Sequence, residues 1–147
     1  IKVLEFNCRM GDPETQPILM RLKTDFTLLL EASIRGQLDE INADWDSRTA
    51  LGVVIAAEGY PEKVSTGDAI TQLPSPSADS MAFHAGTVQE NGTLKTSGGR
   101  VLCVTGLGGT PLLAQQQAYR AAQEVKFRGM QYRSDIGYRA IGKHSLG

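Results

Sequence analysis

The hydrophobic positions of the chain follow two different periods, and the period changes near residue 48. From Pro17 onwards, apolar residues recur three or four positions apart, which is the spacing of a helix with one buried face. Within this stretch Thr24 and Asp25 are typical N-cap residues, and Gly36 is a typical helix stop. The pattern therefore predicts two short helices, or one helix that is kinked at residues 23–25.

Beyond residue 48 the pattern changes to that of short strands. Residues 50–57 are apolar on both faces, as in a strand that is covered on each side. Asn91-Gly92 lies between two short alternating runs and predicts a tight β-hairpin. Further strands are predicted at residues 69–73, 81–87 and 100–105.

One long helix follows the last of these strands. Thr110-Pro111 predicts its start, because Thr is a good N-cap and Pro is accepted at the first helical position, and the helix runs to about residue 126. Its predicted inward face is made of Leu113, Ala114, Ala118, Ala121, Ala122 and Val125. Residues 130–139 have a strand–turn pattern. Short helices, antiparallel strands and one packing helix together predict an α+β fold.

The first residues of the chain also alternate as a β-strand does. In residues 2–8, Phe6 and Cys8 share a face that would pack on a core, while the opposite face ends in Glu5 and Asn7. The chain opens inside this pattern, with neither a cap nor a turn before it. We therefore expect the sequence to be a piece of a longer protein.

The composition narrows the class of protein but not its function. The chain has 147 residues, of which 41% are hydrophobic and 21% charged, and these values exclude a disordered chain. A net charge of −1 argues against general electrostatic binding to nucleic acid or to a membrane surface, and no apolar run approaches membrane-helix length. Cys8 and Cys103 lack metal-ligand spacing, and there is no signal-peptide pattern. Both observations favour a reducing compartment, and we expect the cytoplasm.

Glu5 and Asn7 have a spacing that suits a hard divalent cation. Side chains two positions apart in a strand project from one face, about 6.5–7 Å apart. A carboxylate and an amide oxygen at this spacing could bind one cation or bridge a pair, and Arg9 on the same face could hold a phosphate. The alternative is a strand end that becomes polar where it meets solvent, and the spacing alone leaves this alternative open.

Three other features favour structural interpretations. The glycine-rich stretch at residues 106–109 is followed by Pro111, at the position where a dinucleotide fingerprint needs Gly or Ala. We therefore reject a dinucleotide site. His84 has no Cys or second His nearby in sequence and is expected to be structural. Arg133 and Asp135 are expected to form a structural ion pair, although a role facing a site stays open.

Five stretches of the sequence resemble the C-terminal part of one enzyme family. They are LEFNCRMGDPETQPILMRLK at residues 4–23, LGVVIAAEGYP at 51–61, FHAGT at 83–87, GGRVLCVT at 98–105 and YRSDIGYRAI at 132–141. In this order and combination they resemble the phosphoribosylamine–glycine ligase (glycinamide ribonucleotide synthetase) family of the ATP-grasp superfamily. The resemblance covers nearly the whole chain.

The resemblance implies a reaction and its participants. In this family ATP, glycine and 5-phosphoribosylamine give glycinamide ribonucleotide, ADP and phosphate, an early step of purine synthesis. Glu5 and Asn7 match the family's ligands for Mg²⁺ or Mn²⁺. Arg9, Asp12 and Glu14 fall in the adjoining loop, where they would contact the substrate or its phosphate. The resemblance assigns no side chain of this chain to the chemical step itself.

The resemblance also implies how the chain is organised. Residues 1–47 would be the last strand and helices of an ATP-grasp domain. Residues 48–147 would form a small antiparallel β-rich domain, barrel-sandwich-like, with one main helix. The nucleotide-gripping lobe and the earlier metal ligand would lie upstream of Ile1, so we expect the isolated chain to be inactive and to partner those missing domains.

Two alternatives to this interpretation stay open. The chain could be a non-catalytic module whose own role is to pack against the missing domains. It could also belong to another ATP-grasp carboxylate–amine ligase, although the Gly-Asp-Pro-Glu-Thr-Gln loop at residues 11–16 disfavours this.

Overall fold

The computed structural model describes residues 2–4, 6 and 8–142. In chain order its elements are α1 (Thr15–Arg21), α2 (Phe26–Arg35), a 3-10 turn (Leu38–Glu40), β1 (Thr49–Ala56), β2 (Ser80–His84), β3 (Thr87–Glu90), β4 (Thr93–Thr96), β5 (Arg100–Gly108), α3 (Pro111–Glu124) and α4 (Tyr138–Ile141). One antiparallel sheet has the strand order β1-β5-β2, and β3 and β4 form a separate antiparallel pair. The predicted α+β class is confirmed, and neither sheet in the described part of the chain closes into a barrel.

The central strand β5 is covered on both faces. Its residues alternate between the two faces, and every residue from Val101 to Gly108 is buried. On one face α3 packs against β5 and β1, and the core includes Ile55, Leu102 and Val104. On the other face α1 packs against the same two strands. This double cover explains the continuous apolar run of β5.

Two glycines let α3 lie directly on β5. A Cβ atom on Gly106 would lie 2.6 Å from the carbonyl oxygen of Ala114, and one on Gly108 would lie 2.6 Å from the carbonyl carbon of Leu113. β5 therefore continues to Gly108, beyond the predicted end at residue 105. These glycines therefore belong to a buried strand and not to a loop.

Helix α3 begins and packs largely as predicted. The Thr110 hydroxyl accepts a hydrogen bond from the Leu113 N–H at 3.2 Å, and Pro111 is the first helical residue. The predicted inward face is confirmed for Ala114, Ala118, Ala121, Ala122 and Val125, which are all buried. The prediction is wrong for Leu113, which is 48% exposed. Its Cβ lies close to Gly108, but about half of the side chain is exposed.

The β3–β4 hairpin is confirmed at Asn91-Gly92. Both residues have positive φ, 50° and 77°, as the tight turn requires. The predicted strand at residues 69–73 is wrong. Within it Ala69 bridges to β4 and Gln72 bridges to Lys126 after α3, so this segment passes from one neighbour to another without forming a continuous ladder.

The prediction of two short helices before residue 48 is confirmed. The Asp25 carboxylate accepts a hydrogen bond from the Thr27 N–H at 2.8 Å, and Gly36 ends α2 with a φ of 69°. Helix α1 approaches the sheet closely at Gly52, where a Cβ atom would lie 3.1 Å from both Pro17 Cγ and Cys103 Sγ. The division into domains at residues 47 and 48 stays a proposal.

The predicted strand at residues 2–8 is wrong for the part that the structure describes. Residues 2–4, 6 and 8 have no strand geometry; Leu4 and Phe6 are 97% and 88% exposed, and Cys8 is exposed rather than buried. Alternation predicts a strand only where a neighbouring strand satisfies its backbone, and no described strand pairs with this segment. Glu5 and Asn7 lie outside the described residues.

Candidate functional site

Arg100 of the sheet bonds the loop that precedes α1. Arg100 at the start of β5 donates from Nη1 to the Asp12 carbonyl oxygen at 3.1 Å, and its Nη2 lies 3.4 Å from the Asp12 carboxylate. Inside the loop, the Thr15 N–H and hydroxyl both donate to the Gly11 carbonyl oxygen. The exposed Arg9 bonds the neighbouring Met10 carbonyl oxygen at 3.1 Å. The loop is thus held in place while the Arg9 side chain stays at the surface.

The three predicted substrate residues in this loop do not converge on one cavity. Asp12 faces Arg100, and Arg9 is exposed. Glu14 lines a cavity of about 610 Å³ that also includes Arg21 and Arg48. We call this the α1 cavity, because Pro17, Ile18 and Arg21 of α1 form one of its walls.

An ion-pair network closes one side of the α1 cavity. Arg48 bonds both carboxylate oxygens of Asp46, with Nη2 to Oδ2 at 2.8 Å, and its Nη1 lies 2.6 Å from Asp79 Oδ1. The hydrogen bonds from Arg48 hold the pKa of Asp46 well below its usual value, and the two carboxylates raise the pKa of Arg48. The network joins the residues before β1 to the turn before β2.

A second cavity of about 380 Å³ lies beside the edge strand β1, and we call it the β1 cavity. Its floor consists of Gly52, Val54 and Ala56. Its walls are Pro13 from the loop before α1, Tyr60, and residues from Gln131 to Ile136, including Arg133. The loop of Asp12 and Glu14 therefore reaches both cavities, with Glu14 at one and its neighbour Pro13 at the other.

The far wall of the β1 cavity is fixed by side chains from other elements. Gln131 exchanges two backbone hydrogen bonds with Ala56, at 2.8 and 3.0 Å, and its side-chain amide donates to the Ala57 and Tyr60 carbonyl oxygens. The Tyr119 hydroxyl of α3 donates to the Arg133 carbonyl oxygen at 2.7 Å and accepts from the Ile136 N–H at 3.0 Å. An irregular surface segment thus has the fixed backbone that a binding site requires.

Arg133 and Asp135 form the ion pair that the sequence predicted. The Nε and Nη2 atoms of Arg133 donate to the two carboxylate oxygens at 2.9 and 2.7 Å. The Arg133 guanidinium lowers the pKa of Asp135 through these bonds, and Asp135 raises the pKa of Arg133. The same two residues line a further cavity of about 310 Å³, together with Tyr138 and Arg139. We call it the arginine cavity.

The structure does not test the predicted metal ligands, because Glu5 and Asn7 lie outside the described residues. In residues 2–4, 6 and 8–142, no group of three or more His, Cys, Asp or Glu side chains is arranged to hold a metal ion. His84 is exposed, and its Nδ1 lies 3.0 Å from the Thr87 hydroxyl oxygen. Cys103 is buried, and burial raises the pKa of its thiol.

Sequence reasoning missed several residues that shape these cavities. Arg100 meets Asp12 across 88 positions, and Tyr119 meets Arg133 across 14. No local spacing signals such pairs. The Asp46–Arg48 pair was detectable, because the two residues lie two positions apart immediately before an apolar strand, and Arg133 and Asp135 have the same spacing.

Fold and site together define a mixed α+β domain on an open antiparallel sheet, with a polar loop and arginine-lined cavities around its edge strand. No helix within the described residues is long and apolar enough to cross a membrane. A family model described as "Phosphoribosylglycinamide synthetase, C domain" matches residues 50–139. The chain belongs to this family, which confirms the resemblance seen in the sequence.

Individual relatives agree with this assignment. The phosphoribosylamine–glycine ligase of Ralstonia nicotianae is 58% identical over 140 residues, covering 95% of this chain and 33% of that protein. The ligase of Pseudomonas putida is 53% identical over 143 residues, covering 97% of this chain and 33% of that protein. The crystal structure of the Thermotoga maritima ligase matches with a TM-score of 0.78 and 38% identity, over 91% of this chain and 33% of that chain. The chain thus spans about a third of the length of the curated relatives that it matches.

Proposed function

We propose that the chain is the C-terminal part of a phosphoribosylamine–glycine ligase. The observation that carries this proposal is its 58% identity, over 95% of its length, to a relative of that name. The complete enzyme would join glycine to 5-phosphoribosylamine and release ADP and phosphate from ATP. The glycine carboxylate would first be phosphorylated by ATP. The amine nitrogen would then attack the acyl carbon and form the amide as phosphate leaves. The proposal includes a cytoplasmic location.

The loop of residues 9–14 would provide this chain's contacts to the reacting groups. Arg9 would bind an anionic oxygen, because its guanidinium is exposed and bonds only the Met10 carbonyl oxygen within the described residues. Glu14 lines the α1 cavity together with Arg21 and Arg48, and there it would hold a cationic or hydroxyl group of the substrate. Asp12 would also face the substrate, and its bond to Arg100 would set the position of the loop.

Glu5 and Asn7 would hold Mg²⁺ or Mn²⁺ in the complete enzyme. Their carboxylate and amide oxygens are hard donors that suit these cations, which also take phosphate oxygens as ligands. When bound, a divalent cation neutralises charge on the phosphates of ATP. The chain's own contribution would be to hold that ion through these two side chains.

A chimeric enzyme tests the proposed function. The first two-thirds of the Ralstonia nicotianae ligase is joined to this chain in place of its own C-terminal third, and formation of glycinamide ribonucleotide is measured. We expect activity comparable to that of the intact relative. A folded chimera without ligase activity would contradict the proposal.

Variants of the chimera test the role of the loop. We expect Arg9→Gln to lower kcat/KM by roughly 10- to 100-fold, the effect of one charge-assisted hydrogen bond. Arg35→Gln on α2 is the matched control, because Arg35 is exposed and pairs with Glu31 at 3.3 Å, and it should leave activity unchanged. The isolated chain should show no turnover; turnover comparable to an intact ligase would overturn that part of the proposal.

A further inference from the structure

Two cavities of this domain meet at Arg133. Arg133 and Ile136 line both the β1 cavity and the arginine cavity, so the two cavities share part of their walls. The β1 cavity contributes an apolar floor of Val54 and Ala56. The arginine cavity contributes a second guanidinium, that of Arg139. An apolar cavity that adjoins a cationic one suits a small organic molecule with an anionic group.

Both guanidinium groups are held in position while much of their hydrogen-bonding capacity stays unused. Arg133 gives one edge, Nε and Nη2, to Asp135 and has no bond from Nη1 within the described residues. Arg139 donates from Nε to the Tyr138 hydroxyl at 2.9 Å, and its Cζ lies 5.6 Å from the centroid of the Tyr138 ring. Side chains that are already ordered lose less conformational entropy when they bind a ligand.

The backbone that carries Arg133 is fixed from α3. Tyr119 bonds the Arg133 carbonyl oxygen and the Ile136 N–H, and Gln115 Nε2 donates to the Ile136 carbonyl oxygen at 2.7 Å. Three hydrogen bonds from one helix thus hold the two ends of the segment 133–136, and Arg139 follows three residues later in α4. The two arginines are therefore presented from a single supported segment.

The charges around the arginine cavity favour a phosphate over a carboxylate. Arg133 and Arg139 bring two positive charges, and Asp135 supplies one negative charge, so the lining is cationic. One edge of a guanidinium group is enough to bond both oxygens of a carboxylate, as Arg133 does with Asp135. Two separate guanidinium groups suit the three terminal oxygens and the higher charge of a phosphate monoester.

We propose that Arg133 and Arg139 bind the phosphate of a small phosphate monoester, and that the organic part of this molecule occupies the β1 cavity. The cavity volume of about 380 Å³ falls within the range of small-molecule sites. This site extends the proposed function and rests on it only for the identity of the ligand. In the ligase, the bound ester is the phosphorylated substrate 5-phosphoribosylamine.

Ribose 5-phosphate is the probe that tests the site in the 147-residue chain. Its affinity is measured by calorimetric or NMR titration for the parent chain, Arg133→Gln and Arg139→Gln, with Arg35→Gln as the matched control on α2. We expect each cavity variant to weaken binding roughly 10- to 100-fold. The control should bind as the parent does, and ribose without phosphate should not bind at the same concentrations.

Several results would overturn the site. They are equal affinity in the parent and in both cavity variants, the same loss in Arg35→Gln, equal binding of ribose, and no binding of ribose 5-phosphate at millimolar concentration. Thermal melting of each variant separates lost binding from lost folding. If one of the two arginine-to-glutamine variants unfolds, the remaining one still decides the result. Arg133→Lys also decides it, because lysine keeps the positive charge but lacks the bidentate guanidinium.

The chimera separates this proposal from the proposed function. In an active chimera, Arg133→Gln should raise KM for 5-phosphoribosylamine and leave KM for ATP and glycine unchanged. An active chimera in which neither arginine affects that KM overturns the phosphate site alone. An inactive chimera, combined with arginine-dependent binding of ribose 5-phosphate by the chain, overturns the ligase function alone.

Discussion

Arg100 bonds Asp12 through two groups, the backbone carbonyl oxygen at 3.1 Å and the carboxylate at 3.4 Å, although the two residues are 88 positions apart. The contact joins the first residue of the central strand β5 to the loop that carries Arg9 and Glu14. That loop also contributes Pro13 to the β1 cavity and Glu14 to the α1 cavity. One surface ion pair thus sets the position of the candidate substrate loop relative to both cavities.

Arg100→Ala should loosen this loop without unfolding the domain. Because the two side chains are 42% and 44% exposed, we expect the free energy of unfolding to fall by less than about 1 kcal/mol. The Thr15 N–H, which bonds the Gly11 carbonyl oxygen, should exchange with deuterium faster. Urea denaturation measures the first effect, and hydrogen-exchange mass spectrometry measures the second. Arg35→Ala, which removes an exposed pair within α2, is the control, and equal exchange of the loop in both variants would refute the anchoring role.

Gly106→Ala should destabilise the protein because it forces α3 away from the sheet. The added Cβ would lie 2.6 Å from the Ala114 carbonyl oxygen and 2.9 Å from Gln117 Cβ. Overpacking of this kind costs about 1–3 kcal/mol of unfolding free energy, which urea denaturation measures. Gly109→Ala is the matched control, because no atom lies within 4 Å of its Cβ position. Equal stability of the two variants would show that close packing is not the reason for glycine at residue 106.

Local signals in the sequence predicted the features that depend on local contacts. Thr110 caps α3, Asn91-Gly92 forms the hairpin turn, and Arg133 pairs with Asp135, because each signal and its effect lie within a few residues of one another. The family resemblance added what spacing could not, namely the proposed reaction and the candidate substrate loop.

Most of the wrong and missing predictions concern contacts between residues far apart in sequence. Gly106 reads locally as a turn residue, yet here it lets a helix approach a buried strand. Alternation at residues 2–8 predicted a strand, but the described part of this segment has no neighbouring strand. The Arg100–Asp12 and Tyr119–Arg133 contacts depend on how the sheet, α3 and the loops pack, so no pattern within either segment could reveal them.

Tyr119→Phe should weaken the attachment of the segment that carries Arg133. The variant removes the donor to the Arg133 carbonyl oxygen and the acceptor for the Ile136 N–H. We expect a loss of about 0.5–1.5 kcal/mol in unfolding free energy for each bond, and faster exchange of the Ile136 amide. Tyr60→Phe is the control, because within the described residues Tyr60 bonds through its backbone N–H and carbonyl oxygen and not through its hydroxyl. An Ile136 amide that exchanges at the same rate in both variants would contradict the role of Tyr119.

The Asp46–Arg48 pair should make stability depend on acid pH in a definite direction. Hydrogen bonds from Arg48 hold the pKa of Asp46 below its ordinary value, so the folded state favours the ionised carboxylate. The pair therefore stabilises the fold fully above the unfolded pKa, about 4, and its contribution declines as the pH falls towards the lower folded pKa. Thermal melts of the parent chain and of Asp46→Asn between about pH 6 and pH 2.5 measure this effect. The difference in Tm should be largest near neutral pH and should shrink below about pH 4. A difference that stays constant across this range would show that the carboxylate charge contributes nothing to the contact with Arg48.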